Sequence, residues 1–147
     1  MSTSSSFDRK LAAIARPILG SSAARRIAYL GLCAAYLQGG LVKLTDFPGA
    51  VGEMVHFALS PAPLFAVLVI VLELGASIMI LTGRLRWLGA LGLAGFTLMA
   101  TGIALRFWEL PAGQACFMTA NAFFEHLGLV GGFLLAAWLD LKEREAS

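Results

Sequence analysis

The stretch NAFFEHLGLVGGFLLAAWL, residues 121–139, decides the fold because it is long, apolar and polar only near its start. A helix of about 20 mostly apolar residues is enough to cross a bilayer. Asn121, Glu125 and His126 would then lie a short way below one membrane surface. A charge at membrane depth is costly, so it usually faces other helices and has a partner. The stretch therefore predicts a membrane helix whose polar start faces a bundle interior.

The composition of the whole chain also indicates a membrane protein. Of its 147 residues, 59% are hydrophobic and only 14% are charged, whereas a soluble domain carries about 25% charged residues. So few charges cannot cover a surface in water. We therefore predict an all-α integral membrane protein whose length corresponds to one domain.

The chain lacks the sequence motifs of several functional classes. The chain contains no dinucleotide fingerprint, P-loop or metalloprotease motif. Cys33 and Cys116 form neither a CxxC pair nor a metal-ligand pattern. No strongly basic surface interleaved with aromatic residues predicts nucleic-acid binding. We therefore expect no intrinsic cofactor, no metal centre and no nucleic-acid partner.

Three further apolar stretches lie before residue 121 in the chain. They cover residues 27–44, 63–82 and 87–105. Each predicts a spanning helix, because backbone groups in lipid must be paired within the protein and no alternating pattern favours a barrel. The chain is thus predicted to form a bundle of four transmembrane helices. Glycines on the last two spans, Gly89 and Gly128 among them, favour close helix packing and are compatible with a homo-oligomer.

The distribution of Lys and Arg predicts the orientation in the membrane. With the N-terminus inside, Lys43 and Arg106 fall on the external side, and the other nine of the eleven basic residues fall on the internal side. Basic residues are enriched in cytoplasmic loops. Both termini are therefore predicted to be cytoplasmic.

Three segments follow from these boundaries. Residues 1–26 are predicted to form a cytoplasmic tail with a basic amphipathic surface helix, residues 27–140 the transmembrane domain, and residues 141–147 a charged cytoplasmic tail. Apolar residues recur at helical spacing over residues 7–19 beside basic ones, which is typical of a helix on an anionic membrane surface. A solvated tail with accidental periodicity is the open alternative.

The external segment between the first two spans, residues 45–62, has its own helical pattern. Its apolar residues recur at i, i+3, i+4, i+7 and i+8, and they are Val51, Met54, Val55, Ala58 and Leu59. Glu53 and His56 occupy the other side. The pattern predicts an amphipathic helix that lies on the outer membrane surface.

Polar residues of four helices are predicted to share the outer half of the membrane, as estimated from a rise of about 1.5 Å per residue. They form a candidate pocket that faces outward and consists of Gln38, Lys43, Glu73, Arg106, Asn121, Glu125 and His126. Glu73 lies nearest to mid-membrane, where an ionised carboxylate needs a cation. Such a group is a candidate functional residue.

Each of these residues also has a simpler interpretation. Lys43 and Arg106 have side chains long enough to reach the outer headgroups. Asn121 suits a helix N-cap, and His126 can satisfy a local hydrogen bond. These alternatives stay open on sequence alone.

Three motifs together resemble the DoxX family. They are LQGGLVKL at residues 37–44, ELGA at 73–76 followed by LTGR at 81–84, and FEHLGLVGGFLL at 124–135. The resemblance covers roughly residues 25–140. It implies a compact four-helix protein of the bacterial inner membrane, with Lys43 and Glu73 at positions where the family carries those residue types. Family members are associated with membrane redox systems, including a thiosulfate:quinone oxidoreductase subunit.

The leading functional hypothesis is an accessory subunit of a quinone-linked redox or oxidative-stress system. Its outward-facing pocket would take a lipophilic ligand such as a quinone, and a membrane redox protein would be its partner. Whether the chain has catalytic activity of its own stays open. The alternatives are a small transporter or proton-pathway protein and a structural or assembly subunit of a larger membrane complex.

Overall fold

The structure is a computed structural model that describes residues 3–146 and the side chains of residues 7–146. Within that range the chain is helical and contains no strand. The six α-helices are Thr3–Leu19 (α1), Ser22–Thr45 (α2), Phe47–His56 (α3), Ala62–Thr82 (α4), Arg86–Ala104 (α5) and Gln114–Glu145 (α6), and a 3-10 helix covers Phe107–Glu109. The described residues divide into two compact units, with the boundary after Gly31 in α2.

The first unit contains α1 and the start of α2. Helix α1 begins at Thr3, before the periodic pattern that starts at residue 7, and residues 1 and 2 lie outside the described part. Its apolar side chains are exposed, as Phe7 and Ile14 show at 66% each. Ser21 ends the connection to α2, since its hydroxyl accepts a hydrogen bond from the Ala24 N–H at 3.1 Å, as an N-cap does. The role of α1 as a membrane-surface helix stays a prediction.

Four helices are long and apolar enough to cross a membrane: α2, α4, α5 together with the 3-10 helix, and α6. This agrees with the number of predicted spans. Helices α4 and α5 match the predicted bounds to within one residue at each end, whereas α2 begins five residues before its predicted span. The orientation of the termini remains a prediction, because it depends on a bilayer.

The helix that contains the fourth predicted span extends beyond that span at its start. Helix α6 begins at Gln114, seven residues before Asn121, directly after Gly113 with φ +157°. Pro111 and Gly113 lie just before Gln114 and prevent α6 from starting earlier. The residues from Gln114 onward are all compatible with a helix. Asn121 therefore lies inside α6 and is no N-cap.

Helix α3 covers the connection between α2 and α4. Pro48 lies in its first turn, and the carboxylate of Asp46 caps it by accepting the Gly49 N–H at 3.1 Å. Ala50 and Met54 are buried in a cluster with Ala62 and Ala66 of α4.

The helix predicted for this connection was too long and its apolar face was partly misplaced. Helix α3 ends at His56, so Ala58 and Leu59 lie beyond it, and Ala58 has φ +56°. Val55 is 64% exposed although the pattern placed it on the apolar face. A location on the outer membrane surface stays a prediction for α3.

Helices α4 and α5 form a hairpin around Gly83, which has φ +80° and ends α4. Glycine suits this left-handed conformation because it has no Cβ. Farther along α5, a Cβ atom on Gly89 would lie 2.7 Å from the Ala76 carbonyl oxygen. The two backbones are therefore in close contact at Gly89, as small residues allow.

The remaining helices of the second unit pack around this hairpin. Helix α6 contacts α5, and the fully buried Phe133 of α6 lies edge-on to Tyr36 of α2, with ring centroids 5.3 Å apart. One turn farther along α2, a Cβ on Gly40 would lie 2.8 Å from the Leu74 side chain of α4. From Leu32 onward, helix α2 thus packs against both α4 and α6.

Candidate ligand-binding site

A cavity of about 370 Å³ lies within the second unit. This volume is in the range of small-molecule binding pockets, about 300–1,000 Å³. Most of its wall is apolar, with Phe65, Phe96, Ile103 and Leu129 among the larger side chains. Its ionisable and hydroxyl-bearing lining residues are Tyr36, Lys43, Glu53, Glu73, Thr97 and His126. The cavity therefore combines an apolar wall with a small polar set contributed by α2, α3, α4, α5 and α6.

The ion pair of Lys43 and Glu73 is the most charged part of this wall. Glu73 lies in the middle of α4 and is only 5% exposed. The Lys43 ammonium, from the last turn of α2, lies 3.4 Å from each of its carboxylate oxygens. A buried charge is tolerated when it is paired and hydrogen-bonded. The close approach of α2 and α4 at Gly40 places Lys43 within reach of its partner.

Glu53 of α3 is a second carboxylate near Lys43. Its Oε2 atom lies 3.9 Å from the Lys43 ammonium, and its side chain is 46% exposed. At this distance, and with Glu53 open to solvent, the interaction contributes little to stability. Glu53 instead marks the place where α3 closes one side of the cavity, next to Met54 and Phe57.

Two threonines of α5 carry a hydrogen-bonded network along another wall. The hydroxyls of Thr97 and Thr101 donate to the carbonyl oxygens of Leu93 and Thr97, each at 2.6 Å. Tyr36 is hydrogen-bonded to the Thr97 hydroxyl. His126 Nδ1 lies 2.9 Å from the Thr101 hydroxyl. The network links α2, α5 and α6 beside the cavity.

The structure brings three of the seven predicted pocket residues to the cavity: Lys43, Glu73 and His126. Gln38, Asn121 and Glu125 are exposed on the surfaces of α2 and α6. Arg106 is also exposed, and it pairs with Glu109 at 3.1 Å.

The rotation of α6 explains why neighbouring residues separate. Asn121 and Glu125 are four residues apart and share one helix face, whereas His126 points about 100° away. Packing turns the face with His126 towards Thr101 and the cavity. The prediction that the polar start of this helix faces inward therefore holds for His126 and not for Asn121 or Glu125.

Sequence reasoning did not select Tyr36, Thr97 or Thr101. The signal that could have found the two threonines is their i, i+4 spacing within an apolar span, which places two hydroxyls on one helix face. Tyr36 lies well inside α2, where a buried phenol needs a hydrogen-bond partner.

A second polar cluster lies at the Gly83 turn. Asp140 of α6 is 5% exposed and accepts hydrogen bonds from Arg144 Nε at 2.9 Å and from the Trp87 backbone N–H at 3.3 Å. Arg86 Nη1 lies 3.4 Å from its other oxygen. Asp140 thus caps the start of α5 and ties the turn to α6, a role that its place at the end of an apolar run did not reveal.

The described residues contain no group of three or more His, Cys, Asp or Glu side chains arranged to hold a metal ion. Cys33 is fully buried and Cys116 is partly buried, and both are free thiols.

Four helices that can span a bilayer, each with a polar residue on one shared cavity, define a multi-pass α-helical membrane protein. The family model described as DoxX matches residues 26–106, more than half of the chain, and the protein belongs to the DoxX family. The match includes Lys43, Glu73 and the two threonines, whereas His126 lies beyond it. The comparisons with curated proteins and with solved structures found no match.

Proposed function

We propose that this DoxX-family protein binds a lipophilic molecule with a polar head, such as a quinone, in the cavity. It would act as an accessory subunit of a quinone-linked redox or oxidative-stress system in the bacterial inner membrane. The observation that carries the proposal is the buried Lys43–Glu73 pair in an otherwise mostly apolar cavity. Ligand pockets commonly have this composition, with apolar walls and a few placed polar groups.

The two kinds of wall suit the two parts of such a ligand. The aromatic and aliphatic side chains, including Phe65 and Phe96, favour a ring and an apolar chain. An ammonium group has three N–H donors. The Lys43 ammonium directs two contacts to Glu73, so a further N–H is available for a carbonyl oxygen of the ligand.

In this accessory role, a partner protein would carry out the electron transfer. The lining side chains supply charge, hydrogen bonds and apolar surface to the ligand. With the predicted orientation, Lys43 lies at the outer end of α2, so the pocket faces outward. A membrane redox protein would then exchange electrons with the bound molecule.

The test is to purify the full chain in nanodiscs and to measure retained quinone and other lipophiles by mass spectrometry. We expect the wild type to retain a lipophile. The double variant Lys43→Met, Glu73→Gln should retain at least about tenfold less of it than the wild type, since both polar partners are removed. The double variant avoids leaving one buried charge without its partner.

Glu125→Gln is the matched control, because Glu125 is an exposed carboxylate of α6 that does not line the cavity. It should retain the lipophile at the wild-type level. A wild-type protein that copurifies with a stoichiometric partner and no lipophile would contradict the proposal and favour an assembly subunit. Equal retention by all three proteins would also contradict it.

A further inference from the structure

We infer that the cavity selects a lipophile that donates a hydrogen bond, a phenol or hydroquinone, over one that only accepts, such as a quinone or an aryl ether. This inference rests on the proposed function and specifies the chemical form of its ligand. It follows from the positions of the hydroxyl and imidazole protons in the network of Tyr36, Thr97, Thr101 and His126.

The protons of the two threonines are assigned by their partners. Thr97 Oγ1 lies 2.6 Å from the Leu93 carbonyl oxygen, and Thr101 Oγ1 lies 2.6 Å from the Thr97 carbonyl oxygen. A carbonyl oxygen cannot donate, and a hydroxyl has a single proton. Each threonine therefore gives its proton to the backbone of α5 and can only accept from any other partner.

This assignment fixes the protons of the two residues next to them. Tyr36 must donate its O–H to Thr97 Oγ1, because the Thr97 proton is already directed to Leu93. His126 must carry a proton on Nδ1 and donate it to Thr101 Oγ1, since two lone pairs would otherwise face each other at 2.9 Å. In the neutral imidazole, Nε2 is then an acceptor.

The groups that remain for a ligand on this side are therefore acceptors. Tyr36 and His126 both line the cavity; Tyr36 offers a phenol oxygen whose proton is used, and His126, as a neutral imidazole, offers the lone pair of Nε2. The carboxylate of Glu73 adds further acceptor sites. Among the described lining side chains, Lys43 alone has N–H groups to give.

The acceptor Tyr36 and the donor Lys43 lie at different depths of the cavity. Tyr36 and Lys43 are seven residues apart on α2, about 10 Å along its axis. A hydroxyl on the ligand can donate to Tyr36 or His126, while a second oxygen accepts from Lys43. A quinone would instead place a carbonyl oxygen against a lone pair at the deeper position, which leaves buried acceptors without a partner.

The experiment uses a matched, redox-inert pair of probes, 4-nonylphenol and 4-nonylanisole, which differ at the donating proton. Binding to the full chain in nanodiscs is measured by equilibrium dialysis against empty nanodiscs of the same lipids, which corrects for partition into lipid. We expect the wild type to bind the phenol about tenfold more tightly, as one unsatisfied buried acceptor would cause.

Variants then locate the acceptors. The double variant Tyr36→Phe, His126→Phe should reduce the preference for the phenol to less than about twofold. Thr101→Val retains the imidazole but removes the acceptor that holds its Nδ1 proton, so it should also weaken the preference. Glu125→Gln should leave the preference unchanged, and thermal unfolding identifies any variant that fails to fold.

The outcomes separate this inference from the proposed function. If the wild type binds both probes equally or prefers the anisole, the inference is wrong and ligand binding stands. If the wild type binds neither the probes nor any quinone, the proposed function fails with it. Full retention of the phenol preference in the folded double variant would also overturn the assignment to Tyr36 and His126.

Discussion

The ammonium of Lys43 lies 3.4 Å from both carboxylate oxygens of Glu73, so one buried pair joins the last turn of α2 to the middle of α4. The two side chains are 15% and 7% exposed. Each charge is tolerated at this depth because of the other. The pair therefore links the packing of two candidate spans to the polar wall of the cavity.

Removal of one partner should destabilise the protein more than removal of both. We expect Lys43→Met to lower the free energy of unfolding by about 3 kcal/mol, because Glu73 would be left as an uncompensated buried charge. The double variant Lys43→Met, Glu73→Gln should recover at least about 1 kcal/mol of that loss.

Reversible unfolding in detergent, followed by circular dichroism, measures these differences. Glu53→Gln is the control, since Glu53 is an exposed partner of the same lysine at 3.9 Å, and it should cost less than about 1 kcal/mol. Additive effects in the double variant would show that the pair is not energetically coupled.

Asp140 should be the most important carboxylate at the Gly83 turn. Asp140→Ala removes the hydrogen bonds to Arg144 and to the Trp87 N–H and leaves the partly buried Arg86 without this partner. We expect a loss of about 2–4 kcal/mol in the free energy of unfolding. The exposed Glu145 near the end of the same helix provides the control Glu145→Ala, which should stay within about 0.5 kcal/mol of wild type. Similar melting of the two variants would rule out the capping role.

Gly89 and Gly95 of α5 should respond in opposite ways to the same substitution. A Cβ on Gly89 would meet the Ala76 carbonyl oxygen at 2.7 Å, whereas one on Gly95 meets nothing within 4 Å. Gly89→Ala should therefore force α4 and α5 apart and destabilise the protein by about 1–3 kcal/mol. Gly95→Ala should be neutral or stabilising by up to about 1 kcal/mol, because alanine favours a helix. Thermal unfolding of the two variants side by side decides this, and equal destabilisation would contradict the close contact at Gly89.

The predicted orientation can be tested with cysteines at two exposed positions. In a background without Cys33 and Cys116, Ala112→Cys lies in the α5–α6 connection and Ala146→Cys follows α6. A membrane-impermeant maleimide should label the first in intact spheroplasts and the second only after permeabilisation. The reverse pattern would place the termini outside and would also invert the direction in which the cavity is proposed to open.

The candidate spans were predictable because their signal is local. An apolar run of sufficient length predicts a membrane helix whatever it packs against, and residues 63–82 and 87–105 match α4 and α5 to within one residue at each end. The start of α6 was not predictable in the same way. Asn121 suits a cap, but the interruption at Pro111 and Gly113 decides where the helix begins.

The cavity could be predicted only in part, for a geometric reason. Depth in the membrane follows from residue number and helical rise, and so the sequence placed Lys43, Glu73 and His126 in one half of the membrane. The direction of a side chain around the helix axis depends on packing with its neighbours. Glu125 and His126 are adjacent in the chain, yet the structure exposes one and turns the other towards Thr101.

The sequence by itself thus determined the helical membrane class, four candidate spans, the DoxX resemblance and the buried carboxylate of Glu73, because each depends on composition or on a short motif. The tertiary structure decided which polar groups share a cavity, that Tyr36 and His126 are hydrogen-bonded to threonines of α5, and that Asp140 ties α5 to α6. These features join residues far apart in the chain. They exist only once close packing has set the rotation of each helix.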